Sequence, residues 1–90
     1  MWTIHKYELL PGRTILHKIP KSSQILTCQM QGNKPMVWIL LNTEEQAGPQ
    51  NHKSVVIYGT GQEIIEPSSL KYINTFQMSS LVWHAFEEPD

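Results

Sequence analysis

Apolar and polar positions alternate with a period of two along most of this chain, and turn residues interrupt the alternation about every 8–12 positions. Trp2 to Leu9 places Trp2, Ile4, Lys6 and Glu8 on one face and Thr3, His5, Tyr7 and Leu9 on the other. Neither face is cleanly apolar, which predicts an edge strand. Pro11-Gly12 is a turn signal, and Arg13 to Ile19 alternates again until Pro20, which cannot donate to a ladder, ends it. The two segments together predict a first hairpin. Gln24 to Gln31 sets Leu26, Cys28 and Met30 against Ile25, Thr27 and Gln29, and Gly32-Asn33-Lys34-Pro35 is a turn by composition. Met36 to Asn42 is almost continuously apolar, as expected of a central strand covered on both faces.

The second half follows the same grammar. Thr43 to Lys53 is polar, carries Gly48-Pro49 and forms the longest expected loop. Ser54 to Tyr58 is a short β-branched strand. Gln62 to Leu70 has no clear period, with Pro67 placed to open one helical turn. Lys71 to Gln77 and Leu81 to Glu87 predict a closing hairpin joined through Met78-Ser79-Ser80, and Glu88-Pro89-Asp90 reads as a frayed tail. The sum is an all-β chain: a small antiparallel β-sandwich or barrel of about seven short strands, with at most one short helical turn, in a single domain over residues 1–90.

Composition narrows the partners. Ninety residues bury only about 60–65% of their unfolded surface, and the charged fraction is 17%. A small core beneath a weakly charged surface suits a homo-oligomer. The formal net charge of -1 argues against duplex nucleic acid, which needs a basic face. Cys28 is the single cysteine, so no intrachain disulfide forms. The first residues already alternate like a strand, without a leader pattern, and the longest apolar run, Met36 to Leu41, is too short to span a bilayer. The expectation is a cytoplasmic protein with no membrane contact.

Candidate chemistry is sparse. Gly59-Thr60-Gly61 after the strand ending in Tyr58 would form either a tight strand exit or a concave nest of N–H groups that takes an anion; no Gly-Lys-Ser/Thr follows, so it is not a P-loop. The histidines His5, His17, His52 and His84 have no metal-ligand spacing, although His5 and His17 would face each other across a first hairpin. His84, on an apolar strand between Trp83 and Phe86, needs a hydrogen-bond partner or lines a pocket, the structural role being preferred. The serines lie in turns or at strand ends with no nucleophile elbow. The adjacent carboxylates Glu44-Glu45 and Glu87-Glu88 point to opposite faces of a strand. No catalysis, metal or cofactor is expected. Arg13, the only arginine, is the one candidate for a bidentate phosphate clamp.

The segments His5-Lys6-Tyr7, Ile25 to Gln31, Trp38 to Leu41, Tyr58-Gly59-Thr60-Gly61, Tyr72 to Gln77 and Val82 to Phe86 together resemble a family of small phage and prophage proteins known only as a domain of unknown function. Similar proteins are expected to carry glycine where this chain has Asn74, a residue that also tolerates positive φ. The segment Gln62 to Leu70 is longer than is typical. The resemblance implies a phage protein acting in the host cell. Its first expected function is to sequester, without catalysis, a nucleotide-derived immune signal of the cyclic nucleotide or cyclic ADP-ribose type. Tyr58, Gly59, Thr60, Gly61, Arg13 and Lys71 are the expected lining residues. The alternatives are a protein-binding inhibitor of a host enzyme or defence complex, and a virion or assembly accessory.

Overall fold

The computed structural model describes residues 1–89 and is all-β, seven strands in two antiparallel sheets. In chain order the strands are β1 (Trp2–Glu8), β2 (Arg13–His17), β3 (Gln24–Gln31), β4 (Lys34–Asn42), β5 (His52–Gly59), β6 (Lys71–Met78) and β7 (Leu81–Glu88). The expected helical turn is a 3-10 turn at Pro67–Ser69, with proline at its first position. One sheet has the order β1-β4-β3 and the other β2-β5-β7-β6.

The expected first hairpin does not form. β1 pairs with β4 and β2 with β5, so Pro11-Gly12 carries the chain from one sheet to the other. Leu9 drives this crossover: it is buried in the core, and its N–H donates to the Pro35 carbonyl at 2.9 Å. His5 and His17 therefore lie in different sheets and form no two-histidine pair. β1 is an edge strand, as its mixed faces predicted. The two tight hairpins are β3–β4 and β6–β7, whose first turn residues, Gly32 and Ser79, both have positive φ. Positive φ at the first central position is what a II′ turn requires of a two-residue loop.

The core lies between the sheets. Val37, Ile39 and Leu41 of β4, Val55 and Ile57 of β5, and Cys28, Phe76 and Ala85 form one buried cluster with Leu9, Leu16 and Ile19. β4 is central in its sheet with its inward face closed; on the other face Met36 is buried, while Trp38 and Leu40 are half-buried. β5 is the strand covered on both faces, with Ser54 and Val56 buried opposite Val55 and Ile57.

Two bulges set the geometry of the seam between the sheets. The β3 register shifts between Ile25 and Thr27, and the β6 register between Tyr72 and Asn74. In β3 the extra residue reverses the phase of the alternation. Ile25 packs on the core and Leu26 is left exposed, the opposite of the simple pattern. In β6 the bulge carries Asn74, whose φ is not positive. Its value is in the side chain: Oδ1 accepts the Cys28 N–H at 2.8 Å and Nδ2 donates to the Cys28 carbonyl at 2.7 Å. One carboxamide thus replaces a pair of ladder bonds and joins the β6 edge to the β3 edge. Glu88 belongs to β7 and is fixed by side-chain bonds, so the frayed tail is shorter than expected; Asp90 lies outside the described residues.

Candidate ligand sites on the two sheets

The six expected lining residues fall in separate surroundings. Arg13 and Tyr58 lie on the outer face of the four-stranded sheet, in a groove of about 540 Å³ beneath residues 62–70. Gly59 and Thr60 line a second cavity, of about 380 Å³, with Trp83. Lys71 lines a third, of about 230 Å³, at the seam between β3 and β6. Gly61 lines none of the three.

Arg13 is already engaged. Its Nε and Nη2 donate to the two carboxylate oxygens of Glu88 at 2.6 and 2.7 Å, and Ser54 Oγ donates to the same carboxylate. The guanidinium holds the Glu88 carboxyl below its ordinary range, against the opposing effect of burial, and Glu88 in turn raises Arg13. Both donors of a bidentate clamp are spent on a side chain. Glu63 and Glu66 add two more carboxylates to the groove, which is therefore acidic. A phosphate would be repelled there.

The Gly59 and Thr60 N–H groups of the glycine-bracketed turn are also spent internally. Gly59 N–H donates to Gln62 Oε1, Thr60 N–H to the Val82 carbonyl, and Gln62 N–H to the Gly59 carbonyl, at 3.0–3.1 Å. These N–H groups are not free to cradle an anion. Gly61 has φ +92°, and a Cβ there would meet nothing within 4 Å, so the glycine serves the backbone. What the turn does position is Thr60. Its Oγ1 lies 2.8 Å from His84 Nε2, while Thr75 Oγ1 lies 3.0 Å from His84 Nδ1 and 2.6 Å from the Tyr72 hydroxyl. A neutral imidazole donates at one nitrogen and accepts at the other, and hydroxyls serve either role. Both ring nitrogens of His84 thus have partners, which is the structural role expected of it. Tyr58 and Tyr72 pack edge-to-face on Phe86 beside this chain, with ring centroids 6.1 and 5.7 Å apart.

The seam cavity has a different character. Both bulges open into it, through Leu26 on β3 and Ile73 on β6. Ser23, only 5% exposed, lines it, and its hydroxyl has no partner among the described residues. Lys53, Lys71 and Glu87 are its charged lining residues. Lys53 is paired with Glu87 at 3.2 Å, whereas Lys71 makes no ion pair among the described residues. An orphan buried hydroxyl is costly and asks for a partner. The sequence singled out Lys71 as a candidate lining residue but not Ser23 or Lys53, which the fold brings beside it. Ser23 sits in a polar turn after Pro20, and only the fold buries it.

Among the described residues, no group of three or more His, Cys, Asp or Glu side chains is arranged to hold a metal ion, and no helix is long and apolar enough to cross a membrane. The Cys28 thiol, buried in the core, is pushed up to about 12 by loss of water. It is not a nucleophile in the folded protein.

Residues 1–90 match the family described as Domain of unknown function (DUF7352), and the chain belongs to that family. No curated protein and no solved structure matches it.

Proposed function

We propose that this protein is a non-catalytic binding protein that captures a small phosphorylated molecule of the nucleotide class at the seam between β3 and β6. One observation carries the reading: Ser23, whose buried hydroxyl has no partner among the described residues, and Lys71, which makes no ion pair among them, line the same cavity. A phosphoryl oxygen would accept from Lys71 directly and from Ser23 once its sealed hydroxyl turns into the cavity, with Lys53 adding a second cation partly offset by Glu87. The cavity's volume of about 230 Å³ accommodates a phosphoryl group but not a whole nucleotide. Tyr72, 57% exposed at its rim, offers a ring on which a base stacks. In the phage setting that the sequence resemblance implies, the captured molecule is a cyclic nucleotide or cyclic ADP-ribose-type signal, held by a homo-oligomer in the host cytoplasm.

Native mass spectrometry with a panel of nucleoside monophosphates, cyclic dinucleotides and cyclic ADP-ribose isomers tests this. The expected result is a stoichiometric adduct, released intact on denaturation, that Lys71→Gln weakens about tenfold, the scale of one charge-assisted hydrogen bond. Arg13→Ala, in the other groove, leaves binding unchanged. The absence of any adduct across the panel, or equal binding by Lys71→Gln, sinks the proposal.

A further inference from the structure

The acidic groove lies beside a free strand edge, and the two together describe a second binding site. β2 ends the four-stranded sheet, and among the described residues no strand pairs with it on the side away from β5. Its ladder phase follows from one bond. Ile57 N–H donates to the Gly12 carbonyl, so Thr14 and Leu16 direct their backbone groups to β5. The N–H and C=O groups of Arg13, Ile15 and His17 consequently face outward. The side chains of Arg13 and Ile15 line the groove, so the exposed backbone edge and the groove adjoin.

The groove's chemistry selects what docks there. Glu63 and Glu66 take part in no ion pair among the described residues. Ile65 is 83% exposed and Ile15 46%, a large apolar exposure for residues on either side of one groove. Unpaired carboxylates between apolar side chains suit a lysine or arginine, whose alkyl stem packs while its head pairs. A free edge with alternating side-chain positions suits an extended chain.

We propose that β2 accepts an extended, basic segment of a partner protein as an added antiparallel or parallel strand, with its alternate lysine or arginine side chains directed to Glu63 and Glu66. The added strand bonds to the backbone of Arg13, Ile15 and His17. This site is independent of the seam cavity, and neither proposal depends on the other.

The test is an NMR titration of the full chain with two capped heptapeptides, one alternating lysine and threonine, the other alternating glutamate and threonine. The lysine peptide is expected to shift and protect the Arg13, Ile15 and His17 amides, and the glutamate peptide to leave them unchanged. The double variant Glu63→Gln, Glu66→Gln weakens binding about fivefold, whereas Glu44→Gln, remote from the groove, does not. Ile15→Pro removes one outward N–H at an edge position that tolerates proline, and abolishes the added strand without unfolding the protein. Equal binding of both peptides, or undiminished binding by folded Ile15→Pro, overturns the proposal. So does protection of the same amides in the peptide-free protein together with a dimer by sedimentation, because the occupant is then a second copy.

Discussion

Replacing Asn74 by alanine should unlock the seam between the two sheets. The carboxamide makes two bonds to the Cys28 backbone, at 2.8 and 2.7 Å, and Cys28 is 0% exposed. Each bond contributes about 1 kcal/mol net, and leaving a buried donor and acceptor without partners adds about 1 kcal/mol or more for each. The sum is about 4 kcal/mol. That is a large share of the 5–15 kcal/mol typical of whole domains, and about 15–30 °C in melting temperature for a chain of this size. Denaturant unfolding with an unchanged slope, alongside amide exchange at Cys28, reads the effect. Asn74→Asp makes a useful companion: it keeps the acceptor for the Cys28 N–H but sets a carboxylate against the Cys28 carbonyl, so it should lose at least as much. A loss below about 1 kcal/mol in Asn74→Ala, with Cys28 exchange unaltered, would refute the clamp; about 1 kcal/mol is the net worth of a single such bond.

Three further outcomes follow from other parts of the fold. Cys28 should resist thiol reagents at pH 8 in the native protein and react at once in denaturant, since its thiol is pushed up to about 12 by burial; prompt native labelling would contradict its place in the core. Glu88 has its carboxyl lowered by Arg13, so it adds stability above the ordinary glutamate value of 4.5 and loses that contribution as pH falls through the lower folded value. The stability gap between wild type and Glu88→Gln, measured by denaturation across pH, should therefore be constant near neutrality and close on the acid side; a gap independent of pH would deny the ion pair its role. Gly61→Val forces a β-branched residue to φ +92° and should cost about 1–3 kcal/mol of stability without any clash; an unchanged melting temperature would mean that the turn relaxes freely.

The strands were legible because their signals are local. Alternation, β-branching and the Gly32 and Ser79 turns lie within a few residues of the elements they define. Pairing was not legible where partners are distant. β1 and β2 read as a hairpin because consecutive strands usually pair, yet Leu9 is drawn into the core and separates them. The β3 bulge was invisible in the pattern and reversed the faces of Ile25 and Leu26. The candidate site was legible only in fragments for the same reason. Arg13 looked like a free cation because Glu88, its partner, is 75 residues away. Lys71 carried a charge worth noting, but its neighbours Ser23 and Lys53 come from other strands and turns. Gly59 to Gly61 read as a tight strand exit with an anion nest as the alternative, and the fold spends the Gly59 and Thr60 N–H groups on Gln62 and Val82.

The seam cavity is proposed to receive a phosphoryl group. Titrating isotopically labelled protein with inorganic phosphate, and in parallel with adenosine monophosphate, at constant ionic strength tests it most directly. Saturable amide shifts confined to Ser23, Ile25, Ile73 and their neighbours are expected, with about tenfold weaker affinity in Lys71→Gln and with the nucleotide also moving the Tyr72 ring. Shifts that cluster instead around Arg13 and Tyr58, or no saturable shift with either probe, would contradict it.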